Sequence, residues 1–315
     1  MKKDFLSVLD LTHDELDDTL ALAAKLKKER LSGSTSIKPL AGKHIALLFD
    51  KPSLRTKSTF TIAVRELGGD VIDPAAEVAL GSRETVTDVA KNLERWVSGA
   101  VVRTFAQAKL VEFANAAPNL RVVNALTDEE HPCQAVADVL TLREHLGDLN
   151  GRIVTFVGDG NNVAASLAQA GVMLGMIVRV ASPKGYELPE PVVADCARVA
   201  RGKGAVEVSN SAKTAVAGAD AVYTDVWASM GQERQTARRE KIFKSFQVND
   251  ALMSAAGNAI FLHCLPAHRG HEVTDSVLDS KVSVVFDQSE NRLHAQKALL
   301  AKLFARPAGA ITRPA

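Results

Sequence analysis

Cysteine is scarce. The 315-residue sequence holds three, Cys133, Cys196 and Cys264, spaced too widely for a disulfide framework or a paired metal site. Such usage fits a reducing compartment. Long apolar runs are also missing: none reaches the roughly 18 residues of a membrane helix, and Met1-Lys2-Lys3-Asp4 leads into an acidic helical pattern rather than a signal peptide. A soluble, cytoplasmic protein with no membrane partner is expected. Charge of one sign is missing too, since 38 Lys plus Arg stand against 37 Asp plus Glu, a net charge of +1. No basic block is long enough for a nucleic-acid face. There is no internal repeat, no low-complexity segment, and only 11 prolines. With 46% hydrophobic residues the whole chain can fold, and its length exceeds what one core usually organises, so two domains are expected.

Leu9 to Leu31 carries acids early and bases late, as a helix dipole favours, and predicts an N-terminal helix. A polar linker at 32–36 leads to an apolar run, Ile45 to Phe49, which predicts a buried strand. Beyond it Pro52-Ser53-Leu54-Arg55-Thr56-Lys57 forms a loop, and from Ser58 the spacing Phe60, Val64, Leu67 predicts a helix stopped by Gly68-Gly69. Strand, loop and helix start make a phosphate cradle: free N–H groups, two hydroxyls and a forked guanidinium. Taken alone, the stretch is better read as a capped helix with solvated cations.

The alternation continues. Strands are expected at Val71-Ile72, Ala100 to Arg103 and Val122-Val123, with helices at Val86 to Trp96, Ala106 to Ala116 and His131 to Leu146. After the turn-rich Gly147 to Gly151, strands are expected at Ile153 to Val157, Ile177 to Ala181, Val206 to Val208, Ala221 to Thr224, Ile260 to Leu262 and Val282 to Phe286. The fold class is α/β, two doubly wound parallel-sheet domains linked by helices. Ligands in such sheets gather beyond the carboxyl ends of strands. There stand Ser53 to Thr56, Arg103-Thr104, His131-Pro132-Cys133-Gln134, Gly158 to Asn162, Asp225 to Gly231 and His263 to Pro266. Singly each has a dull reading: a solvated strand end, a helix cap, a turn former, a small buried thiol. Gly158-Asp159-Gly160 fails as a dinucleotide fingerprint, because Val163 stands at its third glycine.

Together these segments resemble the aspartate/ornithine carbamoyltransferase family over essentially the whole chain. Ser53-Leu54-Arg55-Thr56 is similar to its S-x-R-T loop, His131-Pro132-Cys133-Gln134 to H-P-x-Q, and His263-Cys264-Leu265-Pro266 to H-C-L-P. Asp225 with Ser229-Met230-Gly231 resembles the D-x-W-x-S-M-G loop of ornithine users, and Glu290-Asn291-Arg292 a late motif. The resemblance implies a carbamoyl-phosphate domain over 1–147, onto which a helix at about 291–305 packs back, and an ornithine domain over 148–315. The active site would lie in the cleft between them. It implies a homotrimer or a multiple of trimers, no cofactor and no metal. It also implies transfer of a carbamoyl group to the δ-amine of L-ornithine, giving L-citrulline in arginine biosynthesis.

Attack of an amine on carbamoyl phosphate builds charge on the carbonyl oxygen and then on the departing phosphate, so fixed donors must face both. Ser53, Arg55, Thr56 and the loop N–H groups suit the phosphate, and Arg103, His131 and Thr56 the oxyanion. Gln134 and the carbonyl of Cys264 or Leu265 suit the carbamoyl amine, and Arg292 adds positive charge. Asp225 and Cys264 are candidates for the δ-amine, with Asn162, Ser229 and Met230 for the α-groups. Asp225 facing the α-ammonium is equally open. Two positions depart from the family pattern: Lys57 replaces a second arginine, and Ala79 replaces a glutamine expected to reach a neighbouring subunit's carbamoyl group. Putrescine or N-acetylornithine as acceptor, and a non-catalytic relative, are the alternatives.

Overall fold

A computed structural model describes residues 1–34, 36–75, 80, 83–228 and 236–305. The chain forms two compact units, Met1–Asp128 joined by the chain from Arg292, and Glu129–Asn291. The 132–146 helix clusters with the second unit, whereas the expected boundary stood at 147.

In the first unit, a 3-10 turn at Val8–Asp10 precedes α1 (His13–Leu31). The helix starts later than its charge pattern predicts because Thr12 and Glu15 cap it reciprocally. There follow β1 (His44–Phe49), α2 (Leu54–Glu66), β2 (Asp70–Ile72), α3 (Val86–Trp96), β3 (Gly99–Arg103), α4 (Gln107–Ala116) and β4 (Arg121–Leu126). The strands run parallel in the order β2-β1-β3-β4. Helices cover both faces of such a sheet, so β1 from Ile45 and β3 up to Val102 are apolar runs rather than alternating. Leu48, Val102, Val122, Phe113 and Leu110 pack into one core cluster. Each such side chain contributes on the order of 1.5–3 kcal/mol by leaving water.

The second unit runs α5 (Pro132–Leu146), β5 (Ile153–Val157), α6 (Asn162–Met173), β6 (Ile177–Ala181), α7 (Glu190–Val199), β7 (Ala205–Ser209), α8 (Ala212–Val216) and β8 (Ala221–Thr224). It continues through α9 (Thr236–Phe243), α10 (Asp250–Ala256), β9 (Ile260–His263), α11 (Asp275–Leu278) and the start of α12 (Val285–Ala305). Its parallel sheet is ordered β7-β6-β5-β8-β9. The expected strand at Val282 to Phe286 is a correction. Only Ser283 bridges to Phe261, through the Val282 carbonyl and the Val284 N–H, and α12 begins at Val285. The β-branched residues suggested a strand, but the helix-forming sequence after them takes over within one turn.

Each sheet reverses its winding once, between β1 and β3 and between β5 and β8. The loops after those strands are the switch points where doubly wound sheets hold ligands. No helix among the described residues is long and apolar enough to cross a membrane.

Candidate active site

At the first switch point Ser53 has extended backbone, and its Oγ accepts from the Thr56 N–H at 3.3 Å. The cap starts α2 at Leu54, four residues before the predicted Ser58, and puts Arg55, Thr56 and Lys57 in its first turn. The N–H groups of Leu54 and Arg55 have no intrahelical acceptor, which suits an anion. Leu54's side chain is 79% exposed, so the residue offers its N–H rather than its side chain. Arg55 is half-buried, and its guanidinium has no partner among the described residues. Lys57 Nζ instead lies 2.8 Å from Asp73.

Thr56 is buried, and its Oγ1 accepts from Nη2 of Arg292 on α12. Its own hydroxyl proton is thereby left for another acceptor. Arg103 ends β3 beside this turn, paired in register with Phe49. Next to it, Thr104 Oγ1 donates to Asp50 at 2.7 Å, and Lys109 Nζ joins Asp50 at 3.2 Å to the Leu80 carbonyl at 2.7 Å. Val78, Ala79 and Gly81 lie outside the described residues, while Arg83 and Glu84 are exposed.

In the second unit His131 is the N-cap of α5, and its backbone N–H donates to Ser166 Oγ at 2.9 Å. Pro132 fills the first helical position, where no N–H is needed, and Cys133 and Gln134 are buried behind it. After β5, Gly158 adopts φ +144°, a conformation open to glycine. The N–H of Gly160 donates to the Tyr186 carbonyl, and a Cβ there would collide with the backbone of Glu187 and Leu188. Gly160 thus serves close backbone packing, and Gly158 a positive φ. Asn161 Oδ1 caps α6 through the N–H groups of Val163 and Ala164, and its Nδ2 donates to Asp225 Oδ2 at 2.9 Å. Cys264 Sγ donates to the other oxygen, Oδ1, at 3.0 Å. Asp225 is therefore held at both oxygens. Asn162, half-buried, is the first residue of α6.

Beside this pair, burial raises the Asp159 pKa despite its hydrogen bond from Arg239, and the Asp225 charge adds to the rise. Arg239 also donates to the Trp227 carbonyl at 2.7 Å and lies 4.9 Å from the Tyr186 ring centroid, fixing α9 to the end of the Asp225 segment. Ser229, Met230 and Gly231 lie outside the described residues.

Leu265 is in the left-handed region, φ +56°, which costs a non-glycine residue roughly 1–2 kcal/mol. Its N–H donates to His263 Nδ1 at 2.9 Å, and His263 Nε2 lies 3.1 Å from Glu272, which also accepts the His268 N–H at 2.6 Å. This buried ring and carboxylate hold the strained backbone. Ligand atoms of Asp225, His263 and Cys264 lie within 4.8 Å of one another. Both His263 nitrogens and the Cys264 thiol are engaged in hydrogen bonds, so the set does not fit a resident metal.

An uncompensated guanidinium at a helix start suits a phosphate-like dianion, and a braced carboxylate beside a thiol suits an amine. Comparison with known proteins meets this chemistry. The family model "Aspartate/ornithine carbamoyltransferase, carbamoyl-P binding domain" matches residues 3–144, and "Aspartate/ornithine carbamoyltransferase, Asp/Orn binding domain" matches 150–303. The chain belongs to the aspartate/ornithine carbamoyltransferase family. It is 47% identical to the ornithine carbamoyltransferase of Methanocorpusculum labreanum, over 96% of this chain and 98% of that one. It is 49% identical to that of Acidothermus cellulolyticus, over 96% and 97%. The ornithine carbamoyltransferase structure from Pyrococcus furiosus superposes with a TM-score of 0.91 at 45% identity, covering 95% and 96% of the two chains.

Within the family frame, Ser53 to Thr56, Arg103 and His131 to Gln134 fall in the carbamoyl-P match, and Asn162, Asp225, Cys264 and Leu265 in the Asp/Orn match. Sequence reasoning placed Asp159 and Asn161 only within a strand-end segment, without a role, and passed over the partners Arg239, Glu272 and Asp138. One signal was available for Asp138, an acid four residues after Gln134 on a helix otherwise apolar between Ala135 and Leu140.

Proposed function

We propose that the chain transfers the carbamoyl group of carbamoyl phosphate to the δ-amine of L-ornithine, giving L-citrulline and phosphate. The observation that carries this is the end-to-end match, over 96% of the chain, to an ornithine carbamoyltransferase. In this mechanism the N–H groups of Leu54 and Arg55 and the Arg55 guanidinium receive the phosphate. Arg103, His131 and the Thr56 hydroxyl receive the carbonyl oxygen as charge develops on it, with Arg292 polarising Thr56. Gln134 and the Leu265 carbonyl accept from the carbamoyl NH₂. The δ-amine attacks as the neutral form; its nitrogen bonds to the carbonyl carbon, the carbon–oxygen bond to phosphate breaks, and the amine's proton leaves with the phosphate. Asp225 and Cys264 orient the amine, while Asn162, Ser229 and Met230 take the α-groups.

The proposed domain roles are 1–147 for carbamoyl phosphate and 148–315 for ornithine. A cytoplasmic homotrimer or a multiple of trimers serving arginine biosynthesis completes the proposal. Leu54, exposed beside Arg55, and Trp96, 67% exposed at the end of α3, are large apolar side chains that support subunit contacts. Light scattering should return about three times 33.6 kDa or a multiple of that.

The deciding experiment supplies carbamoyl phosphate with ornithine, putrescine or N-acetylornithine and measures the carbamoylated product. A site built to pair the α-groups should reject putrescine strongly. Asp225→Asn should damage ornithine use and leave carbamoyl-phosphate binding nearly intact. Equal rates with putrescine and ornithine would favour the alternative acceptor, to which Ala79 lends its only support.

A further inference from the structure

Asp138 lies on α5, one turn after Gln134, and is 0% exposed. A buried carboxylate survives where donors surround it, and three converge here. Gln134 Nε2 donates to Oδ1 at 2.8 Å, Gln288 Nε2 donates to the same oxygen at 2.7 Å, and the Tyr223 hydroxyl donates to Oδ2 at 3.1 Å. Burial, and after it the Asp138 charge, pushes the Tyr223 phenol well above its ordinary pKa, so the hydroxyl stays a donor.

An ionised carboxylate only accepts, and this fixes both amides that face it. Each glutamine must turn its NH₂ toward Asp138 and its oxygen away. For Gln288 that oxygen accepts the His263 backbone N–H at 2.9 Å, and so anchors the start of the 263–266 segment. For Gln134 the oxygen is buried, in a residue 1% exposed, and has no partner among the described residues. A buried acceptor without a donor is costly, and a ligand N–H is what it lacks.

We propose, resting on the assignment of Gln134 to the carbamoyl amine, that Asp138 is a positioning residue which holds the Gln134 amide with its oxygen toward the substrate NH₂. Through Gln288 and the His263 N–H the same carboxylate sets the backbone that carries Cys264 and Leu265. One interior charge thereby aligns two acceptors from different elements, α5 and the turn after β9. Without it the Gln134 amide is free to present NH₂ against NH₂, a mismatch that selects against the substrate rather than for it.

A double-mutant cycle on the full chain tests this, with kcat and KM for each substrate and a thermal midpoint for every variant. Gln134→Ala should lower kcat/KM for carbamoyl phosphate by about 10- to 100-fold and leave the KM for ornithine within about threefold. Asp138→Ala should give a loss of similar size or larger, and the double variant should lose clearly less than the product of the two single losses, because Asp138 acts in part through that amide. Asp138→Asn, whose amide oxygen can face the two glutamines while its NH₂ meets the Tyr223 oxygen, should keep activity within about threefold. If the two alanine losses multiply in the double variant, Asp138 does not act through Gln134 and the positioning role is overturned. That role is equally overturned if Asp138→Asn keeps its thermal midpoint but loses activity tenfold or more, which keeps the test decisive should Asp138→Ala not fold. No loss in Gln134→Ala would instead remove the assignment of Gln134 itself, and the role of Asp138 with it.

Discussion

Arg55 stands in the first turn of α2 with no acidic neighbour engaged among the described residues, while Lys57 nearby is drawn to Asp73. The two cations are therefore not equivalent. Arg55→Gln should reduce turnover at saturating carbamoyl phosphate by at least about a hundredfold, the cost of losing one charge-stabilising donor, and Arg55→Lys should restore little because a point charge cannot form the fork. Near-normal turnover in the glutamine variant would show that the α2 turn does not bear the phosphate. Candidate residues of this kind were legible in the sequence because each stands at or just after a strand end in a doubly wound pattern, as Ser53, Arg103, Asp225 and Cys264 do. Their supporting partners were not. Asp138, Gln288 and Tyr223 meet from α5, α12 and β8, and Asn161 reads locally as no more than a helix cap. Which cap also braces Asp225, and which interior acid orients an amide, depends on tertiary placement that spacing does not encode.

Among the elements, the inner strands such as β1, β3, β5 and β8 were legible from apolar runs, since parallel strands buried on both faces carry no competing pattern, whereas the edge strands β2 and β7 are largely exposed. Boundaries were harder where side-chain chemistry overrides periodicity. Ser53 starts α2 early by capping it, and Val282 to Phe286 has strand composition but yields to α12 after one bridge. The Gly158-Asp159-Gly160 turn shows the same limit: its glycines invite a nucleotide reading, yet Gly160 exists to let residues 187–188 pass. Gly160→Ala should therefore destabilise the protein by about 1–3 kcal/mol through forced backbone displacement, read as a lower urea midpoint. It should also depress activity, because Asn161 and Asp225 are aligned from that turn. An alanine variant with wild-type stability would mean that the 187–188 backbone yields freely.

At the scale of the whole molecule, the first unit is made of two stretches of chain, and α12 supplies the second. Lys297, 2% exposed, holds Glu66 of α2 at 2.6 Å, with Arg30 of α1 on the other carboxylate oxygen at 2.8 Å. Glu66→Gln leaves that ammonium buried with a weaker partner. The expected loss is about 2 kcal/mol, below the roughly 3–5 kcal/mol of a fully interior pair because Glu66 is part-exposed. Burial opposes the Glu66 charge most, but the hydrogen bonds from Lys297 and Arg30 together outweigh it, so its pKa lies below the ordinary 4.5. A carboxyl depressed in the folded state contributes fully above pH 4.5 and loses that contribution as pH falls through its lowered value. Denaturant midpoints of wild type and Glu66→Gln should thus differ most at neutral pH and converge in acid. A gap independent of pH would mean that the pair acts through packing rather than charge.

The divided first unit also sets an order of events during synthesis. Residues 129–291 are contiguous and can complete their core once Asn291 has emerged, whereas the unit begun first still waits for α12. Until then Glu66 lacks Lys297, and Arg121 lacks both the Leu303 carbonyl at 2.8 Å and the Phe304 ring. At roughly 5–20 residues per second, the roughly 235 residues from Lys57 to Arg292 take about 12–47 s, during which the α2 turn stands on an unfinished scaffold. The unit translated first is therefore the last to close, and the first turn of α2 is not complete until Arg292 has reached Thr56.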